Sequence, residues 1–266
     1  MRASKEDIKE YWDKRAKQHP DSPQATTDDI YLRELEIITI ADKLKEIRIS
    51  RSGSVLDIGC GDGYSTLRIA EKIKHLFFTG IDYSKYMIEN ARNRLKLYPG
   101  LKDRVFFVLG DVLKLDSQFR NSLYDVILTD RCLINLNSFS SQSEAIAQIA
   151  SHLKPGGYYI ALENFIEGQE NMNKARKSVG VPEIPVREHN LYFKEKDFVG
   201  VARRFFDKIT FNDFSSSYYF ATRVIYSALC KEQKIDYRHE IHRLAVNLPW
   251  FGQFSPIRMI VSRKKR

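Results

Sequence analysis

A chain of 266 residues, 43% hydrophobic and 12% aromatic, has material for one large α/β domain with insertions, and its well-mixed 29% of charged residues argues against extended disorder. Apolar runs fall short of the roughly 20 residues that span a bilayer, the stretch Met1 to Trp12 is charged rather than signal-like, and Cys60, Cys132 and Cys230 lack metal-type spacing. The expectation is a cytoplasmic protein with reduced thiols and no metal site; the net charge of +9 admits a nucleic-acid partner, but Arg263 to Arg266 supply four of those charges.

Ser4 is placed to cap a first helix running to about Ala16, in which Ile8, Tyr11, Trp12 and Ala16 recur at helical spacing. A loop from His19 to Thr27 carries Pro20 and Pro23. A second amphipathic helix follows from Ile30 to about Ile47 and ends near Arg51 to Gly53. Short β-branched runs then appear at Ser54 to Ile58, Phe77 to Ile81, Val105 to Leu109, Tyr124 to Thr129 and Tyr158 to Leu162. Helical stretches at Ser65 to Ile73, Lys85 to Leu97 and Gln142 to Leu153 separate them, with an irregular connection around Leu113 to Asn121. That alternation predicts βαβ units and a parallel sheet buried on both faces.

Lys154-Pro155-Gly156-Gly157 is expected to end a helix ahead of the fifth strand. Phe165 to Val199 is expected as a polar insertion holding Pro182 and Pro185, and Phe206 to Phe211 and Ile257 to Val261 as two further strands separated by a helix from Tyr218 to Lys231. The organisation predicted is one domain over 1–266: N-terminal helices over 1–50, a core over 51–164, an insertion over 165–200, and last strands with a helical insertion over 201–266.

Val55-Leu56-Asp57-Ile58-Gly59-Cys60-Gly61-Asp62-Gly63 runs from a strand through a glycine turn into a helix, the position of a cofactor loop. Tyr64 stands where a third glycine would complete G-x-G-x-x-G, and Asp57 places a carboxylate where a pyrophosphate would otherwise sit. S-adenosylmethionine (SAM), which has no pyrophosphate but carries a cationic amino group and a sulfonium, suits such a loop. Asp82, followed by Tyr83, closes the second strand and suits a ribose; Asp111 and the Val112 amide follow the third strand and suit an adenine. Each of Asp57, Asp82 and Asp111 has a purely structural alternative as a cap of nearby amides.

Through VLDIGCGDG (55–63), GIDYS (80–84), GDVLKLD (110–116), YDVILTDR (124–131) and LKPGGYYIALEN (153–164), the chain resembles the class I SAM-dependent methyltransferases over about residues 30 to 164. The resemblance implies a Rossmann-like, mostly parallel seven-stranded α/β sheet with an antiparallel last strand. It also implies that Gly59 and Gly61 shape the methionine pocket, Asp82 holds the ribose and Asp111 the adenine amino group. Asp130 or Arg131 would lie beside the methionine and the acceptor.

In an open α/β sheet the acceptor belongs outside the carboxyl ends of strands four and five. Arg131, Asn164 and Tyr192 are candidate acceptor contacts, and His189 is a candidate general base, with a structural tie as its alternative. Arg131 suits an acidic acceptor group or a bridge to Asp130. Tyr11, Trp12 and Arg15 are placed to form a lid or merely a packing helix. The amide-rich insertion suits a small hydroxylated, sugar-like acceptor, and resembles that of methyltransferases of polysaccharide or natural-product assembly. An RNA methyltransferase is the alternative; against it, Thr129-Asp130-Arg131-Cys132 stands where base-amine methyltransferases carry an amide-aromatic motif. A non-catalytic SAM-binding sensor or structural subunit is a third possibility, and a nicotinamide oxidoreductase ranks last.

Overall fold

A computed structural model describes residues 3–20, 22–47, 49–50, 52–120, 122–230 and 235–266. The predicted element limits at Arg51, Asn121 and Lys231 lie outside these residues, as does Met1 at the head of the charged N-terminal stretch. Ser4 caps the first helix, α1 (Lys5–Gln18), in a capping box: its hydroxyl accepts from the Asp7 amide while the Asp7 carboxylate accepts from the Ser4 amide. Helix α2 (Ile30–Glu46) begins at Asp29, whose carboxylate takes the Leu32 amide.

The alternating region folds as β1 (Ser54–Ile58), α3 (Tyr64–Lys72), β2 (Phe77–Asp82), α4 (Lys85–Leu95), β3 (Val105–Leu109), a four-residue α5 (Leu115–Gln118), β4 (Tyr124–Asp130), α6 (Phe139–Ser151) and β5 (Leu153–Asn164). The rest adds α7 (Ile166–Ser178), α8 (Glu195–Ala202), β6 (Phe206–Asn212), α9 (Ser216–Tyr219), α10 (Tyr226–Cys230), α11 (Glu240–Ala245) and β7 (Ile257–Lys264). All seven strands join one sheet in the order β3-β2-β1-β4-β5-β7-β6. β1 to β5 pair in parallel, and β7 runs antiparallel to both neighbours. This is the Rossmann-like α/β arrangement expected.

The core divides across the sheet. Val55, Phe78 and Val105 pack with Ile37, Leu44 and Leu67 on one face, while Leu56, Ile127 and Tyr159 pack with Ile146 and Ile149 on the other. With β1 flanked by β2 and β4, the chain crosses over in opposite directions on either side of it, leaving a crevice at the carboxyl ends of these strands.

Four expectations are corrected. Helix α6 stops at Ser151, and Lys154 to Gly157 belongs to β5, where the pairing slips between Tyr124–Leu153 and Val126–Tyr158; the Pro-Gly-Gly run makes a strand irregularity rather than a helix end. The supposed polar insertion opens with 13 helical residues, α7. Its buried face is Gly168, Gln169, Met172 and Arg176, so the usual aliphatic periodicity is missing. The helix predicted from Tyr218 breaks into α9, a π-helical turn (Phe220–Ile225) and α10, and α11 was not expected at all. The second helix ends at Glu46, short of the limit expected near Arg51 to Gly53.

The basic C-terminus is held by the fold. Arg263 Nε donates to the Gly156 carbonyl, Lys264 to Ala150, and Lys265 Nζ to Arg203 at 2.7 Å. No helix among the described residues is long and apolar enough to cross a membrane.

Candidate active site

A cavity of about 290 Å³ opens over the carboxyl ends of the central strands and collects every site residue expected from the sequence. Asp57, Gly59, Cys60, Gly61, Asp82, Tyr83, Asp111, Val112 and Asp130 line it, together with Arg131, Asn164, His189 and Tyr192. Helix α1 roofs it through Lys5, Tyr11, Trp12 and Arg15, and the C-terminal region contributes Tyr219, Arg223 and Tyr237.

The glycine loop has positive φ at Gly59 (74°), Gly61 (55°) and Gly63 (72°), which only glycine adopts without strain. A Cβ on Gly59 would stand 2.6 Å from Cys132 Sγ, so this loop and the one after β4 pass in direct contact. The loop amides point inward. Gly59 and Cys60 both donate to the Ile81 carbonyl at 2.8 and 3.0 Å, Gly61 donates to Asp82 Oδ2 at 3.1 Å, and Gly63 to the Cys60 carbonyl. Amides engaged in this way do not form the anion cradle that a pyrophosphate requires.

Asp57 accepts from the Thr66 hydroxyl at 2.5 Å rather than from loop amides. Burial pushes its carboxyl up to about 7 against that bond, with the Asp130 and Asp82 charges adding to the rise. Asp82 accepts the Ser84 amide at 2.8 Å, and burial lifts it to about 6. The cap of α4 is Ser84, which takes the Met87 amide, so Asp82 is not the helix cap. Asp111 does cap a short turn through the Leu113 amide, and its other oxygen meets Lys5 Nζ at 2.9 Å. Tyr83 Oη is buried with no partner among the described residues. A concave wall of buried carboxylates, an orphaned hydroxyl and inward-turned amides suits a ligand carrying a cation and several hydroxyls, and disfavours one carrying phosphates.

On the other wall Arg131 sits at φ 50° and pairs with Glu36 at 3.0 Å and Asp130 at 3.5 Å. Of its two expected partners the structure shows the internal one. Burial raises the Glu36 and Asp130 carboxyls, and the guanidinium between them pulls both down. Asn164 is 4% exposed, and its Oδ1 has no partner among the described residues. His189 stacks on Tyr11 at 4.5 Å and meets the edge of Trp12, whose indole N–H donates to Asn135 Oδ1 at 3.1 Å. Burial and the Arg187 charge lower the imidazole below its usual range, keeping it neutral at pH 7.

Two contributions are not read from the sequence: the anchoring role of Glu163, which the strand order marks only as an acceptor-side candidate beside Asn164, and the presence of Tyr219 and Arg223 at the site. Glu163, at the end of β5, accepts the amides of Cys132, Leu133 and Ile134 at 3.2, 3.0 and 3.3 Å and so fixes the loop that carries Arg131. A lone acid ending a buried strand was the available signal. Tyr219 and Arg223 are spaced as one helical face, but the π-helical turn between α9 and α10 shifts that face, and no regular period reveals it.

A family model described as a methyltransferase domain matches residues 49–197. The chain is 39% identical over 122 residues to a demethylmenaquinone methyltransferase of Leptospira interrogans, covering 45% of this chain and 47% of that one. It is 25% identical over 150 residues to a malonyl-(acyl-carrier protein) O-methyltransferase of Halalkalibacterium halodurans, covering 54% and 53%. The chain thus spans about half the length of these curated relatives. Among solved structures, a magnesium protoporphyrin IX methyltransferase from Synechocystis PCC 6803 with bound SAH superposes with a TM-score of 0.64 at 14% identity, over 98% of this chain and all of that one, a likeness of fold. Carboxylates at the ends of β1 and β2, an amide-closed glycine loop, the seven-strand order and the family match agree, and the chain belongs to the methyltransferase-domain family.

Proposed function

We propose that this protein moves a methyl group from SAM to a small-molecule acceptor, an oxygen or nitrogen nucleophile on a hydroxylated, sugar-like or natural-product molecule. SAM supplies an electrophilic methyl group on a sulfonium. Asp57 and Asp130 offer negative charge to the cationic end of such a ligand. Asp82 and the orphaned Tyr83 hydroxyl offer partners to its ribose, and Asp111 with the Val112 amide to its adenine.

The chain's own part in catalysis is to bind, orient and exclude water. The roof made by Tyr11 and Trp12 encloses the reacting end, and holding the acceptor in line within that enclosure makes the reaction effectively unimolecular. His189, neutral and at the cavity wall, is positioned to take the proton of an acceptor hydroxyl. Asn164 and Tyr192 face the same space. The observation that carries this proposal is the inward closure of the glycine-loop amides beside Asp57 and Asp82, which favours SAM over a nucleotide phosphate. Closure by α1 and the 165–200 segment favours a small acceptor over a polynucleotide.

Calorimetric titration with SAM, its demethylated product S-adenosylhomocysteine (SAH) and NADH tests it. Binding of both sulfur ligands, weakened by about 1–3 kcal/mol in Asp82→Ala, is expected. Binding of NADH alone would overturn the proposal.

A further inference from the structure

Among the described residues six lysine and arginine side chains line the cavity, and five are answered by carboxylates. Lys5 pairs with Asp111 at 2.9 Å, Arg15 with Asp28 at 3.0 Å, Arg33 with Asp62 at 2.8 Å, Arg131 with Glu36 at 3.0 Å, and Arg223 with Asp29. The sixth, Arg187, has no acidic partner among the described residues.

Its place in the fold is fixed by the strand it runs beside. The Phe193 amide donates to the Asn164 carbonyl at 2.9 Å, the Leu191 amide to the Ile134 carbonyl at 2.7 Å, and the Asn190 amide closes a turn onto the Arg187 carbonyl at 2.9 Å. Arg187 is thereby held on the wall that carries His189, Tyr192 and Asn164, away from the carboxylates of the β1 and β2 ends. Its charge is felt by both His189 and Tyr192. On the same wall the buried Asn164 Oδ1 lacks a donor. Asn164 Oδ1, buried and without a partner, and Arg187, an exposed residue without an anion, line the same cavity, and each would be completed by a different group of a single ligand.

We infer that the acceptor is an anionic molecule, whose hydroxyl or N–H is held by Asn164 Oδ1 and whose carboxylate or phosphate is held by Arg187. This rests on the proposed methyltransferase role and narrows its acceptor. Arg131 is not available for that task, because Glu36 and Asp130 already answer it.

Glucose, glucuronate and glucose 6-phosphate share their ring and most hydroxyls and differ in the anionic group, so they separate the two sources of charge. Each is titrated calorimetrically, at low salt, into the protein first saturated with SAH. At least one anionic sugar should bind about tenfold more tightly than glucose, as a charge-assisted pair provides; the tighter of the two names the anion. Arg187→Ala should erase the preference, Arg187→Lys should keep part of it, and Asn164→Ala should weaken all three alike. Equal affinities in the wild type, or a preference that survives Arg187→Ala, overturn the inference while leaving the SAH site intact. If SAH itself does not bind, or none of the three sugars binds the SAH-loaded protein, the acceptor assignment beneath it falls as well.

Discussion

Lys5 Nζ lies 2.9 Å from Asp111 Oδ2, so the first turn of α1 is tied to the carboxylate that follows β3. Further along, Asp13 meets the Ser84 hydroxyl, Trp12 reaches Asn135, and Tyr11 stacks on His189. One helix thus bridges the walls proposed for cofactor and acceptor. The Lys5–Asp111 pair is half-exposed on the lysine side and contributes at most about 1 kcal/mol. Lys5→Ala should leave the unfolding midpoint nearly unchanged and speed SAH release up to about fivefold at low salt, an effect that fades as salt screens the pair. Stopped-flow chase of bound SAH measures it. An unaltered release rate at low salt would show that α1 is not a latch.

Asp57 makes cofactor affinity pH-dependent. Burial holds its carboxyl near 7 without ligand, and a cationic ammonium binds the ionised form. Protonation therefore opposes binding: SAH affinity should be full above pH 7 and fall towards tenfold per unit below it. Asp57→Asn should weaken binding and flatten this limb in calorimetry at pH 5.5 to 8. A limb that persists in the variant assigns the proton elsewhere, with Asp82, near 6, the next carboxylate.

Much of the site was legible because its residues sit where regular strands end. Asp57, Asp82, Asp111 and Asp130 follow apolar runs whose limits the sequence marks within a residue or two, and the parallel sheet then brings those ends together. The far wall was harder. Met172 and Gln169 lie on a helix whose buried face holds one apolar side chain, Met172, among glycine, amide and guanidinium, and a Cβ on Gly168 would collide with the Ser255 carbonyl. Close backbone packing of that kind leaves no hydrophobic period to detect. Tyr219 and Arg223 reach the cavity only through a π-helical turn, and the unpaired state of Arg187 follows from which carboxylates fold beside the other five cations.

Glu163 should matter for the fold as well as for the site. Its buried carboxylate serves three consecutive amides, and burial lifts it to about 7 against them. In Glu163→Gln the carboxamide nitrogen replaces an oxygen and cannot accept, leaving one or more of those amides unanswered. A loss of about 1–3 kcal/mol in urea denaturation is expected. SAH affinity should fall too, since the loop from Asp130 to Asn135 loses its anchor. Wild-type stability in this variant would mean that the amides find other partners.

His242 adds a second pH dependence, in stability. Tyr218 gives its proton to Asp29 at 2.6 Å, so its oxygen accepts from His242 Nδ1 at 2.9 Å and Nε2 is left as a buried, unpartnered acceptor. Burial and Arg223, against the pull of Asp29 and Asp236 and with His239 nearby, lower this imidazole from 6.5 to about 4. A depressed folded-state value means that the unfolded chain takes up the proton first. The contribution is therefore complete above pH 6.5 and is lost as pH falls towards 4, at up to about 1.4 kcal/mol per unit. Raised carboxyls such as Asp57 and Glu163 act in the opposite direction, so the difference between wild type and His242→Asn, not the wild-type curve alone, isolates it. That difference should shrink below pH 6.5; a constant difference from pH 7 to 4.5 would remove His242 as its source.

His189 has two proposed duties that kinetics can separate. As general base it would raise kcat by about 10²–10⁴-fold, and its lowered value in the free protein puts the acid limb of kcat/KM below pH 6.5. As a packing residue it would only hold Tyr11, 4.5 Å away, and its loss would raise KM for the acceptor while leaving kcat and its pH profile intact. His189→Ala and His189→Phe distinguish these, because phenylalanine preserves the stacking plane but carries no base. Equal collapse of kcat in both variants, with the acid limb gone, supports proton transfer. Recovery of turnover in His189→Phe assigns the residue to the roof of the cavity, and the acceptor would then lose its proton to water or to no base at all, as a nitrogen nucleophile already neutral at pH 7 permits.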